Sequence, residues 1–351
     1  MYKYLLIIFG LMAVLLNSAT AAEVLGKNLE IYGKVHLSVD SSDKDDPASS
    51  NDGFSVSSNS SRLGFKGEYP VGEMTFLYQF EQEVVLDETG KNFATRNSYG
   101  GLKGNFGKVI VGFHDTPFKK VGSVWGLFSD TVGDRRTVSG ASYTEGNQLN
   151  ERAQNAIMYE FKNKTLIMQA MYAVDPESGN DGLVDNNDKD VTSVGLRYNN
   201  GPLALGAAYE TWQGHSKAGN ANATRLTAKY KVGMANLGVM YETIDSDNMA
   251  QWNRDVYGFN VDYKLNQKTT LKAQYMIADD VDTVADTGAT SVSLGAFYKL
   301  DKKANIYLVY ASTDNDSNAG FQGVDGGHGD EVKTINGGNP NAISAGFVFK
   351  F

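Results

Sequence analysis

The sequence predicts an all-β fold: a transmembrane antiparallel up-and-down β-barrel of about sixteen strands, with a long third loop folded inward. Three observations carry this. From Leu29 onward, segments of about ten residues alternate apolar and polar side chains. Short turns and longer acidic loops join them in alternation, the arrangement that outer-membrane barrels show at their two ends. The third is a break in the rhythm, from His114 to Arg152. A stretch of roughly forty residues without strand character inside a compact fold argues for a functional loop.

Composition agrees. The 351 residues include 38 Gly, 19 Tyr and 17 Phe but only 6 Pro, which suits many strands with tight turns and aromatic surfaces. A hydrophobic share of 41% with a negative mean hydropathy excludes a helical membrane protein. The absence of Cys removes disulfides, thiolate catalysis and Cys-type zinc sites. A formal charge of -9 makes nucleic acid an unexpected partner. Residues 1–22 read as a cleaved secretory signal peptide: Lys3 is the basic start, Tyr4 to Leu16 the apolar run, and Ala19 to Ala22 the cleavage region, cut after Ala21 or Ala22. Their only charged side chain is Lys3, so residues 23–351, the barrel domain, carry -10.

The first strand places Leu29, Ile31, Gly33, Val35, Leu37 and Val39 on one face, and Glu30, Tyr32, Lys34, His36, Ser38 and Asp40 on the other. After a polar loop, Leu63, Phe65 and Tyr69 oppose Arg62, Lys66 and Glu68. Tyr69-Pro70-Val71-Gly72 turns the chain, and Met74, Phe76, Tyr78 and Phe80 then alternate with Thr75, Leu77, Gln79 and Glu81. The pattern repeats with long loops at 86–95, 115–152, 174–190, 214–222, 245–253, 279–288 and 314–340. A soluble sandwich fits less well, because strands near ten residues match a tilted bilayer crossing. Aromatics such as Tyr159, Tyr209, Tyr230, Tyr263 and Tyr298 stand at strand ends, where interfacial girdles belong. Glycines and charges fill the second face, as Gly258, Asn260, Asp262 and Lys264 do; a water-filled lumen accepts such a face and a dry core does not. The chain closes on alternating Phe347, Phe349 and Phe351, one lipid-facing row.

Several motifs resemble the trimeric general porins of Gram-negative bacteria. Leu29-Glu30-Ile31-Tyr32-Gly33-Lys34-Val35 is similar to the first porin strand, and Ser60-Ser61-Arg62-Leu63-Gly64-Phe65-Lys66-Gly67-Glu68 to the second. Arg96 to Gly104 with Phe106-Gly107-Lys108-Val109 resembles the fourth and fifth. Asp115-Thr116-Pro117 and Phe128-Ser129-Asp130-Thr131-Val132-Gly133-Asp134 resemble the third loop. The resemblance implies a sixteen-stranded barrel, a homotrimer, and a third loop (about 115–152) that narrows an outer-membrane channel for passive diffusion of ions and small hydrophilic solutes. It also implies that the terminal Phe347, Phe349 and Phe351 act as a signal to the outer-membrane assembly machinery, with membrane lipid and lipopolysaccharide as surroundings.

A diffusion pore needs a wet lumen and a field at its narrowest point. The inward faces of the early strands offer Lys34, Arg62, Lys66 and Arg96 as a basic wall; Asp115, Asp130 and Asp134 on the loop, with Glu81 and Glu83 on the third strand, are the expected acidic side. Two positions depart from the family pattern: Met158 stands where a further arginine is frequent, and Phe113 follows Gly112 where arginine is frequent, so the sign of selectivity stays open. The acidic loops, with Asp181, Asp185, Asp188, Asp279, Asp280, Asp282, Asp286, Asp325 and Asp330 among their carboxylates, read as solvated surface or as cation bridges to neighbouring loops and lipopolysaccharide. No cofactor or specific metal site is expected. None of the four histidines carries a hydrolase motif, so no enzyme activity is expected. A substrate-preferring channel for sugars, phosphate or carboxylates is the alternative, although the inward aromatics Tyr32, Trp212 and Tyr307 are too few and too scattered to make a sugar slide; a plugged structural or adhesive barrel is the third reading.

Overall fold

The computed structural model describes residues 28–48, 53–89, 93–140, 149–176, 189–215, 219–247, 253–324 and 326–351. The signal region and Asp181, Asp185, Asp188 and Asp325 lie outside these. In chain order the strands are β1 (Glu30–Asp43), β2 (Gly53–Ser58), β3 (Arg62–Val71), β4 (Met74–Val84), β5 (Phe93–Thr95), β6 (Ser98–Gly104) and β7 (Gly107–Asp115). A helix, α1 (Pro117–Trp125), follows. Then come β8 (Arg152–Lys162), β9 (Leu166–Val174), β10 (Asp190–Asn200), β11 (Leu203–His215), β12 (Gly219–Val232) and β13 (Ala235–Ser246). The last are β14 (Arg254–Lys264), β15 (Thr269–Ala278), β16 (Ala289–Lys299), β17 (Ala304–Asn315) and β18 (Asn341–Lys350).

Every pairing between these strands is antiparallel, neighbours in sequence pair in space, and β18 returns to pair with β1, closing the sheet. Closure leaves no open edge, as a bilayer requires of a sheet. The eighteen segments make sixteen barrel strands, because β2 with β3, and β5 with β6, are each one strand interrupted. β2 leaves β1 at Leu37 opposite Ser58, and β3 resumes with Lys34 opposite Arg62, a register slip of one residue. The same slip separates Gln82 opposite Thr95 from Gln79 opposite Tyr99 on β4. Such bulges re-aim the neighbouring side chains, and the two interruptions fall at Arg62 and Arg96.

The alternation sorts as its chemistry demands. Val39, Phe65, Phe76, Phe80, Val111, Leu226, Val239, Phe259, Leu294, Leu308 and Ile343 are exposed on the outside, an apolar belt of the kind that membrane barrels present. Tyr159, Tyr209, Tyr230, Tyr263 and Tyr298 are exposed with them. On β1, Lys34, His36, Ser38 and Asp40 are buried on the inner face. At the end of the barrel, Phe351 exchanges both backbone hydrogen bonds with Gly33, each 3.1 Å, and its ring stacks on Phe349 at 6.1 Å.

The third loop lies inside. Thr116 accepts a bond from the Lys119 amide, Pro117 opens the helix, and Phe118, Val121 and Trp125 present one buried stripe. That stripe follows a track of inward glycines across successive strands. A Cβ on Gly195 would stand 3.0 Å from Pro117, on Gly206 2.9 Å from Val121, on Gly258 2.6 Å from Trp125, and on Gly295 2.8 Å from Phe128. The second-face glycines are therefore a seat for the loop, and at Gly258 and Asn260 the lumen is packed rather than wet: Asn260 donates to the Trp125 carbonyl at 2.6 Å.

The last long loop, between β17 and β18, also turns inward. Phe321, Val324 and Val332 are buried. His328, on sequence a polar-loop residue, has its Nε2 3.2 Å from the Asp40 carboxylate, with both side chains almost fully covered. Gly326 and Gly327 leave no room for a Cβ beside Arg136 and Asp130 of the third loop.

Candidate pore constriction

Beyond α1, Leu127 and Phe128 pack against Tyr307 and Val309, and Phe128 meets Phe297 at 6.0 Å between ring centroids. Asp130 then adopts a left-handed backbone (φ 59°), and Asp134 caps a short 3-10 turn at Arg135–Thr137. The return limb is tied to the wall by Arg225 on β12 and Glu242 on β13, both fully buried and 2.5 Å apart. Arg225 donates to the Phe118 carbonyl (2.9 Å) and to Asn150 (2.9 Å), and its guanidinium lies 3.9 Å from the Phe118 ring. Glu242 accepts from the Gly140 amide at 2.6 Å.

These supports leave three ion-paired groups around the constriction. In the first, Lys34 Nζ meets Asp130 at 2.7 Å, while Arg136 bridges Asp130 (3.0 Å) and Asp134 (2.6 Å). Burial would raise the Asp130 carboxyl, but Lys34 and Arg136 overcome it and hold the group below the ordinary carboxylate range. Asp134 is held low in the same way, burial being outweighed by Arg136. In the second, Arg96 takes Glu81 at 2.9 Å and Glu83 at 2.6 Å, with Arg62 at 3.8 Å from Glu81; Tyr32 donates to Glu81 at 2.9 Å. In the third, Asp115 is shared by Lys119 (3.0 Å), Lys120 (3.2 Å) and Arg152 (3.3 Å), and Asn97 donates to it at 2.9 Å.

The residues expected from sequence are thus only partly brought together. Lys34 and Asp130 face each other across wall and loop, as the opposed-charge reading requires. Glu81 and Glu83 do not oppose the arginines; they sit beside them on the same wall, because β4 lies between β3 and β6 and cross-strand neighbours pair. Lys66 stands away from the loop, paired with Glu30 at 3.0 Å, and lines a cavity of about 1280 Å³ at the short-turn end. Asp115 turns to cations of its own loop and β8 instead of to the early strands. Trp212 and Tyr307 are buried, the latter bonded to His36 at 2.9 Å, so neither offers a face to a passing solute. Met158, in the place of a family arginine, is buried among Ile110 and Met171. Asp280, one of the loop acids, accepts the Thr287 and Gly288 amides at 2.6 and 2.8 Å, a turn-capping role. Among the described residues no group of three or more His, Asp or Glu is arranged to hold a metal ion.

Sequence reasoning missed Arg136, Arg152, Lys119 and Lys120. The signal was present in part: Thr116-Pro117 is a helix start, which puts Lys119 four residues from Asp115 and in reach of it.

The Gram-negative porin family model matches residues 10–318. Outer membrane porin protein 32 of Delftia acidovorans is 27% identical over 340 residues, covering 89% of this chain and 92% of that protein. Major outer membrane protein P.IB of Neisseria meningitidis serogroup B is 30% identical over 114 residues, covering 30% of this chain and 34% of that one. Among solved structures, the anion-selective porin from Comamonas acidovorans superposes with a TM-score of 0.77 at 22% identity, over 92% of this chain and 99% of that one. In-vitro folded OmpT of Vibrio cholerae gives 0.69 at 22%, over 94% and 100%. The closed sixteen-strand barrel, the inward third loop and the family match together place this chain in the Gram-negative porin family, as a passive channel of the outer membrane.

Proposed function

We propose that this outer-membrane porin prefers anions, and that the preference comes from its constriction rather than from its overall charge of -9. The carrying observation is the ion-pair count. Among the described residues, seven cations (Lys34, Arg62, Arg96, Lys119, Lys120, Arg136, Arg152) meet five carboxylates (Glu81, Glu83, Asp115, Asp130, Asp134) in these ion pairs. The first two groups are balanced, and the whole excess of two positive charges belongs to the third. Charge at the narrowest point weighs most in selectivity, because ions crossing there are closest to the wall and least screened. The anion-selective porin from Comamonas acidovorans, similar in fold, is named for the same preference.

The test is the reversal potential of the reconstituted channel in a potassium chloride gradient. The expected sign is that of chloride, and a cation-side potential would overturn the proposal. A pH dependence follows. Burial, opposed by the Asp115 carboxylate, pulls Lys119 down to about 8, whereas ordinary lysines titrate near ~10.4. Raising the pH from 7 to 9 therefore removes a constriction cation, and the reversal potential moves toward cations over that interval. Lys119→Gln is expected to start nearer the cation side and to flatten the change.

The working unit of this proposal is a homotrimer, which the trimer form described for Vibrio cholerae OmpT supports; conductance steps grouped in threes are the expected record. Phe347, Phe349 and Phe351 serve assembly, residues 1–22 export, and outer-membrane lipid and lipopolysaccharide surround the apolar belt. No catalytic role is assigned to any residue.

A further inference from the structure

Three cations on one carboxylate is an unusual stoichiometry for a structural ion pair. Asp115 has two oxygens, and Asn97 already donates to Oδ2. Lys119 reaches Oδ1 at 3.0 Å, Arg152 Oδ1 at 3.3 Å, and Lys120 Oδ2 at 3.2 Å. An ammonium has three donors and a guanidinium five, so each of these cations keeps donors that Asp115 does not use. The Nε that approaches Asp115 is the one that donates to Asn97 Oδ1 (3.2 Å), so a single N–H of Arg152 faces both. The carboxylate is nearly closed to solvent at 11% side-chain exposure, whereas Lys120 is open at 31% and Lys119 and Arg152 at 17% each. The anion is thus at the back of the cluster, with the cations in front of it.

The framework is rigid. Asp115 ends β7 and Arg152 begins β8, paired directly across the ladder. Lys119 and Lys120 stand on the first turns of α1, whose Phe118 is clamped by Arg225. Asn97 holds Asp115 from both directions, donating at Nδ2 and accepting the Asp115 amide at 2.9 Å. A preorganised set of donors with two uncompensated charges binds an anion without first reorganising.

We propose that Lys119, Lys120 and Arg152 form a transient binding site for small dianions, inorganic phosphate or a short dicarboxylate, at the root of the third loop. Two excess charges match two ligand charges, and a dianion neutralises the cluster where a chloride leaves it half compensated. The lysines meet the ligand as point charges, and Arg152 supplies planar donors that suit a carboxylate or phosphate edge. This rests on the anion preference proposed above and sharpens it into a ligand class. A channel with such a site passes dianions at low concentration and saturates with them.

The experiment is single-channel recording of the reconstituted trimer in potassium chloride, titrated with inorganic phosphate or succinate, and with lactate as the monoanion control. Expected is a saturable decrease in chloride current with phosphate and succinate, and none with lactate in the same range. Lys120→Ala and Arg152→Ala are each expected to weaken half-block about tenfold, the loss of one charge-assisted contact; Arg152→Lys restores it in part. Block by succinate, a dianion throughout this range, is expected to weaken from pH 7 to 9 as Lys119 loses its charge; undiminished succinate block at pH 9 would remove Lys119 from the site. Anion-side reversal potential with equal effects of lactate and succinate, or block that survives both alanine variants, would overturn the site while leaving the anion preference standing. A cation-side reversal potential would overturn the preference itself. If a variant fails to assemble, the wild-type comparison of lactate with succinate decides alone.

Discussion

Replacing Glu242 with alanine is expected to enlarge single-channel conductance and to lower thermal stability together. Glu242 and Arg225 have no solvent exposure, and the pair ties the return limb of the third loop to β12 and β13. Removing one partner of a buried, hydrogen-bonded pair costs about 3–5 kcal/mol, because the remaining charge is left uncompensated. Here the Arg225 guanidinium loses its carboxylate and the Gly140 amide its acceptor, so the limb that narrows the pore loses its hold as the barrel loses stability. Glu242→Gln keeps an acceptor without the charge and should fall between. The measurement pairs conductance with unfolding temperature of the refolded protein; a lower unfolding temperature with unaltered conductance would mean that the loop is held elsewhere.

The second large effect is on selectivity. Arg96→Ala is expected to move the reversal potential toward cations, and further than Arg62→Ala does. On sequence the two arginines were equivalent members of one basic wall. In the structure Arg96 touches both Glu81 and Glu83, whereas Arg62 stands 3.8 Å from Glu81 alone. Loss of Arg96 removes one positive charge, takes from Glu83 its 2.6 Å contact and leaves Glu81 to Arg62 and the Tyr32 hydroxyl. One unit charge at about 4 Å in water is worth about 1 kcal/mol, roughly a fivefold change in the permeability ratio. Equal shifts for the two variants would show that Glu81 and Glu83 do not face the permeating ions.

The barrel was legible because its signal is repeated sixteen times. Period-two alternation needs only a lipid side and a lumen side, and β1 and β4 sort their faces as their residues do. The loop was legible as an interruption and, by resemblance, as a constriction. Its internal chemistry was not. That Asp130 meets Lys34 while Asp134 meets Arg136 depends on a left-handed residue and a capped turn, which no spacing rule specifies. Lys66 is indistinguishable from Lys34 by pattern, since both lie on the inward register; only their height along the barrel separates the eyelet from the wider vestibule. The bulges at Asn59–Ser61 and Arg96–Asn97 insert one residue each; the polar residues around them read as loop on sequence, so β2 and β5 fall inside expected loops, yet the bulges decide where Arg62 and Arg96 point.

The glycine track also bears on how the molecule is made. The third loop leaves the sheet at β7 and re-enters at β8, yet its helix and the turns beyond it rest on strands up to β17 and on Lys34 of β1. Its seat does not exist until those later strands are in the sheet, and the last long loop, which abuts Asp130 and Arg136, belongs to the final connection of all. While the wall is incomplete the loop lacks most of its seat, so the expected order is a wide conduit first and its filter as the closing step. Refolding should accordingly show strand formation ahead of the burial of Trp125, a delay that fluorescence can time against circular dichroism once Trp212 and Trp252 are replaced by Phe.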